Sequence, residues 1–89
     1  MYKKDTMVSI LQLESARARG EKVSEFTSAR VHAEHYLADI IEALDSGVPY
    51  ARSISFLSVE ARCSRQTAYL VLRKVLLKAN YVRPKEDIG

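Results

Sequence analysis

The stretch "LSVEARCSRQTAYLVLRKVLLKANYV", residues 57–82, decides the predicted fold. Apolar residues recur at helical spacing on both sides of a short polar segment, which predicts two helices separated by about three residues. Helices joined by so short a connection cannot lie antiparallel, so they must cross at a steep angle. Ser64 can cap the second helix by accepting a hydrogen bond from the amide of Gln66 or Thr67.

Length and composition indicate one small intracellular domain. The chain has 89 residues, of which 47% are hydrophobic, so a single core is feasible but a monomer is only marginally stable. Domains of this size often gain the missing stability by oligomerisation. The N-terminus shows no signal-peptide cleavage pattern, and no apolar run is long enough to cross a bilayer. Cys63 is the single cysteine, which excludes an intramolecular disulfide. We expect a cytoplasmic protein without a membrane partner.

Positive charge is concentrated in the second half of the chain. Residues 1–50 carry six Lys or Arg and eight Asp or Glu, whereas residues 51–85 carry eight Lys or Arg and one acid, Glu60. A basic block confined to part of a small domain predicts a polyanionic partner. An ordinary solvated helix face is the alternative interpretation.

The first half of the chain predicts two helical segments. Residues 1–22 form an N-terminal helix or arm, with a helix over 5–18 capped by Asp5 or Thr6. The near-alternation in "TMVSILQL" leaves a strand over 6–13 open. Residues 24–46 carry an apolar stripe at helical spacing and predict one long scaffold helix, which Ser24 or Thr27 caps and Gly47 ends.

The second half predicts a helix-turn-helix over 53–80, followed by a short extended tail over 81–89. The first helix spans about 53–62, and the second runs from Ser64 to about Lys78, with Asn80 as a C-cap. The expected inward residues are Ile54, Leu57, Val59 and Ala61 in the first helix, and Ala68, Val71, Leu72, Val75 and Ala79 in the second. The predicted fold is a compact all-α domain, 1–89, of three to four helices.

The start of the second helix carries the candidate base-reading residues Arg65, Gln66 and Tyr69. A helix with a polar, protruding N-terminal end and an anchored body can enter the major groove of double-stranded DNA end first. Arg and Gln are the side chains that make bidentate contacts to guanine and adenine edges.

The same stretch resembles the helix-turn-helix of bacterial, phage and plasmid transcriptional regulators, particularly winged-helix repressors. In that pattern Cys63 takes the buried position of the turn, Ser64 the cap, and Arg65 and Gln66 the exposed base-reading start. The resemblance makes Thr67 a phosphate or cap contact, Ala68 a buried residue and Tyr69 a groove or phosphate contact. It places the helix stop and the first wing strand at "NYV", residues 80–82.

Three positions depart from the pattern. Arg62 stands where the turn usually has a Gly with positive φ, so it costs about 1 kcal/mol or forces a different turn. Ser58 replaces a small Ala. Seven residues follow Val82, which leaves room for a rudimentary wing at most.

Other residues around the two helices are candidates for DNA-backbone contacts and for self-association. Phosphate contacts give affinity without sequence choice. The backbone candidates are Arg52, Ser53, Ser55, Ser64, Thr67, Arg73 and Lys74, with Lys78 beside them. Leu70 and Leu77 lie seven residues apart, opposite the predicted core stripe, and Tyr81 extends this row. We expect the row to pack on the 5–18 helix or on a second copy, as a dimer or partner surface.

No residue pattern indicates an enzyme, a cofactor or a small-molecule ligand. His32, His35 and Asp39 share one face of the scaffold helix, but no further ligand completes a metal site, and a surface His35–Asp39 pair is the preferred interpretation. Cys63 is expected to be a small buried hydrophobe in the turn.

The sequence therefore predicts a sequence-specific DNA-binding protein, a transcriptional repressor acting as a homodimer on a palindromic operator. The alternative is a helical protein-interaction module, an adaptor or an inhibitor of another regulator that reuses the same fold. Its working surface would be the acidic helix, with Glu34, Asp39, Glu42 and Asp45, together with the Leu70 and Leu77 row.

Overall fold

A computed structural model of the chain describes residues 2–81, with side chains described from residue 10 onward. This part of the chain is built from helices alone, without a strand, which confirms the predicted all-α class. The helices are α1 (Tyr2–Ala18), α2 (Glu25–His35), α3 (Leu37–Asp45), α4 (Tyr50–Ala61) and α5 (Arg65–Lys78). There is one helix more than the upper prediction, because the scaffold segment 24–46 is divided in two.

The N-terminal segment is helical, so the alternative strand over 6–13 is not adopted. α1 begins at Tyr2 and runs through the predicted caps Asp5 and Thr6. It packs against α2, and Leu13 and Val31 are buried.

Tyr36 divides the predicted scaffold helix. Its φ of −96° and ψ of 12° depart from helical values, although its N–H still donates to His32 O at 3.0 Å. The Tyr36 ring packs edge-on against Phe56 of α4, with centroids 5.1 Å apart, and its hydroxyl donates to Glu60 at 3.3 Å. The kink therefore coincides with tertiary contacts to α4, which the helical periodicity of 24–46 does not encode.

The core lies where α2, α4 and α5 pack against one another, with α3 covering the end of α4. Four alanines at these contacts, Ala29, Ala33, Ala61 and Ala68, have no exposed surface. Because interaxial distance depends on the side chains at the contact, these small residues let the helices approach closely. Leu57 and Leu72 fill the remaining interior and are fully buried.

Two predicted inward residues face solvent instead. Val59 is 73% exposed, and Ala79 is exposed just beyond the end of α5. α4 begins at Tyr50, after Pro49, and its inward side carries Ser53, Leu57 and Ala61. Ser53 is 5% exposed and lies on this inward side, although it was expected to contact a phosphate.

One kind of turn closes four of the five helices. After α1, α3, α4 and α5 a residue adopts positive φ, and the next N–H donates to the carbonyl five residues earlier, as in the Schellman motif. The positive-φ residues are Gly20, Gly47, Arg62 and Asn80. The predicted stops at Gly47 and Asn80 are confirmed. The wing strand has no counterpart in the described part of the chain, while Val82 and the rest of the predicted 81–89 tail after Tyr81 lie outside the described residues.

Candidate nucleic-acid interface

The connection between α4 and α5 consists of Arg62, Cys63 and Ser64. Arg62 adopts the left-handed conformation, φ 57° and ψ 52°, and Cys63 N–H donates to Ser58 O at 3.0 Å. Of the two outcomes expected for this position, Arg62 thus takes the strained conformation that a Gly would take without cost.

Ser64 starts α5 as predicted. Its backbone is extended, and its Oγ accepts a hydrogen bond from Thr67 N at 3.1 Å. The same hydroxyl donates to Thr67 Oγ1 at 3.0 Å, so both side chains are engaged within the first turn of α5.

A carboxylate from α2 lies at this helix start. Glu25 Oε1 accepts from Ser64 N at 3.1 Å and from Thr67 Oγ1 at 3.3 Å. A negative group at a helix N-terminus interacts favourably with the helix dipole, so Glu25 fixes α5 on α2. Sequence reasoning missed this contact, because 39 residues separate Glu25 from Ser64.

Three predicted phosphate contacts are therefore corrected. Ser53 and Thr67 are 5% and 8% exposed, too little to reach a phosphate. Ser64 is exposed, but its N–H and hydroxyl already bond within the protein, and the Glu25 carboxylate occupies the place of an anion. Ser55 is partly exposed and accepts from Arg65.

The three predicted base-reading residues are exposed near the start of α5. Arg65 Nη2 donates to Ser55 Oγ at 2.9 Å, which draws the guanidinium toward α4. Tyr69 is 42% exposed and packs edge-on against Tyr50, with centroids 6.1 Å apart. Gln66 is exposed, and its side chain forms no hydrogen bond among the described residues.

Six cations lie on α4, in the turn after it and along α5 as far as its last residue. All are exposed, and in residues 10–81 none forms an ion pair within 4.0 Å. They are Arg52, Arg62, Arg65, Arg73, Lys74 and Lys78. Their charge is therefore available to a partner rather than being neutralised inside the described fold.

Ser28 forms a hydrogen bond to the C-terminal end of α4. Its Oγ, 1% exposed as a residue, donates to Ala61 O at 2.7 Å and accepts from Arg17 Nη2 at 3.1 Å. The Ser28 carbonyl accepts from His32 Nδ1 at 2.8 Å, which accounts for this buried histidine. One serine thus joins α1, α2 and α4 just before the turn. No cluster of metal-binding side chains occurs among the described residues.

Cys63 is partly buried and packs against the core. Burial raises the pKa of its thiol, and the nearby negative charge of Glu25 raises it further. A raised pKa reduces the thiolate fraction, so the environment matches the predicted role of a small hydrophobe.

The predicted leucine row lies on the outer side of α5. Leu70 is 39% and Leu77 63% exposed, so neither is covered by α1, which packs on α2. Tyr81 does not extend this row. It packs against the core, and its hydroxyl donates to Asp45 at 2.8 Å, joining the end of α5 to the end of α3.

An open apolar groove lies between α3 and α4, with a volume of about 310 Å³. Ile40, Ala43, Val48 and Phe56 supply its apolar lining, with Asp39, Arg52 and Ser53 beside them. Sequence reasoning did not find it, because its lining is brought together by the packing of α3, α4 and the connection between them.

Comparison with known proteins adds no relative. No protein-family model, no curated protein sequence and no solved structure matches this chain. Within residues 2–81, the helices are also too short or too polar to span a bilayer.

Proposed function

We propose that this protein binds double-stranded DNA sequence-specifically and acts as a transcriptional regulator, a homodimeric repressor on a palindromic operator. The observation that carries this proposal is the set of six exposed cations around α5, unpaired within the described side chains. A basic surface around a projecting helix start is the electrostatic footprint of a nucleic-acid-binding domain. The resemblance of the 57–82 stretch to helix-turn-helix regulators supports the same function.

The proposed mechanism divides the α5 surface into two parts. Gln66, with Arg65 and Tyr69 beside it, reads base edges in the major groove, because amide and guanidinium groups match adenine and guanine edges. Arg52, Arg73 and Lys74 contact phosphates on either side. The bonds from Glu25 and Ser28 hold the turn and the start of α5 in place, so little ordering is needed when DNA binds.

Two copies are needed for useful specificity. One helix start contacts only a few base pairs, and joining two copies makes the second binding event intramolecular. A two-fold dimer then requires half-sites about one helical turn apart, or multiples of this spacing.

The test is selection of bound duplexes from a random library, followed by variants on the winning sequence. Gln66→Ala is expected to reduce the preference for the selected duplex over a scrambled one by about 1–3 kcal/mol, roughly 5- to 150-fold. Lys74→Ala is the matched control, and it is expected to weaken both duplexes equally. Recovery of no motif, or equal effects of Gln66→Ala on both duplexes, contradicts sequence-specific reading through Gln66.

A second candidate function is supported by the leucine row and the acidic helix α3. The exposure of Leu70 and Leu77 on the same helix as the cations suits a helical interaction module. In that case the double variant Leu70→Ser, Leu77→Ser loses the protein's regulatory activity in cells. The double variant Arg65→Ala, Gln66→Ala keeps that activity. The reverse pattern supports DNA reading.

A further inference from the structure

The groove between α3 and α4 contains a buried hydroxyl without a partner. Ser53 lines this groove and is 5% exposed, yet its Oγ forms no hydrogen bond within the described part of the chain. The other two buried hydroxyls, those of Ser28 and Thr67, are each hydrogen-bonded inside the fold. Because a buried polar group without a hydrogen bond is unfavourable, the Ser53 hydroxyl indicates that a polar group of a ligand binds at this point.

Two opposite charges also line the groove. Asp39 lies in the first turn of α3, and Arg52 lies in the first turn of α4. Both are exposed, and among residues 10–81 neither side chain forms a hydrogen bond or an ion pair within 4.0 Å. A molecule that carries both a positive and a negative group can therefore pair with both residues.

The rest of the lining is apolar and partly open to water. The groove volume of about 310 Å³ is at the lower end for ligand pockets, so it suits a small molecule rather than a large cofactor. Val48 and Phe56 are 36% and 41% exposed, although both belong to the lining. A small apolar group placed against them removes their surface from water, which favours binding.

The α4 side of the groove is suited to a carboxylate. α4 begins without a side-chain cap, and a negative charge near the start of a helix interacts favourably with the helix dipole. Arg52 and the hydroxyl of Ser53 can both donate hydrogen bonds to a carboxylate placed there. On the α3 side, Asp39 can accept a hydrogen bond from an ammonium group.

We propose that this groove binds a free α-amino acid with an apolar side chain. The carboxylate of the ligand accepts hydrogen bonds from Arg52 and Ser53, and its ammonium group donates to Asp39. Its side chain packs on Val48 and Phe56. No small-molecule ligand was expected from the sequence, because the groove is formed only by the packing of α3 and α4.

Ligand binding and DNA binding then compete for Arg52. The proposed function gives Arg52 a phosphate contact, and a guanidinium that pairs with the carboxylate of the ligand is no longer available to a phosphate. The amino acid therefore lowers the affinity for duplex DNA, and duplex DNA lowers the affinity for the amino acid by the same factor. This competition rests on the proposed function, whereas the ligand site does not.

Isothermal titration calorimetry of the full chain without DNA tests the site. The ligands are free leucine, isoleucine, methionine, phenylalanine and tryptophan. Glycine is one control, because it has both charges without an apolar side chain. The other controls are the amine and the carboxylic acid that correspond to the best binder without its carboxylate or without its ammonium group. We expect a Kd between about 1 µM and 1 mM for at least one of the five amino acids, with every control bound about tenfold more weakly or worse.

Variants then test whether binding occurs in the groove. Asp39→Asn, Arg52→Gln and Ser53→Ala are each expected to weaken binding by about tenfold or more. Glu42→Gln and Arg73→Gln are the matched controls, because each removes the same charge outside the groove lining, and binding should stay within about twofold. Ser53→Ala should also keep the Tm of the wild type or raise it, since it removes an unpartnered buried hydroxyl.

The inference is overturned if none of the five amino acids binds at concentrations up to about 10 mM. Glycine or an analogue bound as tightly as the best amino acid also overturns it, and so do control variants that lose as much affinity as the groove variants. Saturating amino acid is expected to weaken duplex binding by about fivefold or more, and unchanged duplex affinity would refute competition at Arg52. An amino acid that binds while no duplex is selected refutes the proposed function and leaves the ligand site standing.

Discussion

Removing the Ser28 hydroxyl is expected to destabilise the fold more than removing the hydroxyl of any exposed serine. Ser28→Ala leaves the Ala61 carbonyl, in a residue with no exposed surface, without its 2.7 Å hydrogen bond. An unsatisfied buried acceptor costs about 1–3 kcal/mol. The loss of the bond from Arg17 adds less, because 22% of the Arg17 side chain reaches solvent. We expect a total of about 2 kcal/mol, or a fall in Tm of roughly 8–16 °C for a domain of this size.

The matched control is Ser46→Ala. Ser46 Oγ also donates to a backbone carbonyl, that of Glu42 at 2.9 Å, but the site is exposed and water can replace the hydroxyl. We expect a loss of less than about 0.5 kcal/mol there. Urea unfolding followed by circular dichroism measures both free energies. Equal losses for Ser28→Ala and Ser46→Ala would show that the bond to Ala61 does not hold the end of α4.

A double-mutant cycle isolates the link to α1. Arg17→Ala and Ser28→Ala, made singly and together, are expected to couple by at least about 0.5 kcal/mol, because the two side chains are in contact at 3.1 Å. Losses that are additive within error would show that the contact between Arg17 and Ser28 contributes no stability. Ser28 would then stabilise the fold only through its bond to α4.

Three further changes test the turn and its surroundings. Arg62→Gly is expected to stabilise the fold by about 1 kcal/mol in urea unfolding because it relieves a left-handed residue, whereas Arg62→Ala, which keeps a Cβ there, should not. Glu25→Gln keeps the acceptor for α5 but removes a charge; unfolding free energy should fall by about 0.3–1 kcal/mol while duplex affinity rises in a binding titration. A Glu25→Gln variant with weaker duplex binding would contradict an anion at that helix start. Burial raises the pKa of Cys63, and burial with Glu60 raises that of Tyr36, so the folded state holds these protons longer. The contribution of each group to the free energy of unfolding is complete below its ordinary pKa, 9.0 for Cys63 and 10.0 for Tyr36, and is lost as pH rises through the raised pKa. When unfolding free energy is measured at several pH values, Cys63→Ser should remove the part of this loss that begins at the lower pH.

The parts of the fold that depend on local chemistry could be predicted from the sequence. Ser24 and Ser64 cap α2 and α5 because a hydroxyl two or three residues before a free amide suffices. Gly47 and Asn80 end α3 and α5 because these residue types tolerate positive φ.

The parts that depend on distant contacts could not be predicted. The Tyr36 kink accompanies contacts to Phe56 and Glu60, and the sequence of 24–46 alone favours an unbroken helix. The bond from Ser28 to Ala61 likewise spans 33 residues.

Burial was predicted wrongly at Val59, which lies two residues from both Leu57 and Ala61 and therefore on the opposite side of α4. α4 begins at Tyr50, and with Ser53 on its inward side Val59 points outward. For the candidate site, Arg65, Gln66 and Tyr69 are exposed as predicted, but two of the three also contact α4. The sequence could indicate that these side chains are exposed, but not that Glu25 accepts hydrogen bonds from Ser64 N and Thr67 Oγ1 beside them.

The most direct test of the central claim is the ratio of affinities for a selected duplex and a scrambled one, followed as salt is raised. If all six exposed cations of each copy in the dimer contacted phosphates, log affinity for both duplexes would fall with log salt at a slope of about −11. The account predicts parallel slopes, with the selected duplex bound at least about 10³-fold more tightly throughout. Two lines that coincide at every salt concentration would show that the cations bind any polyanion and that α5 reads no sequence.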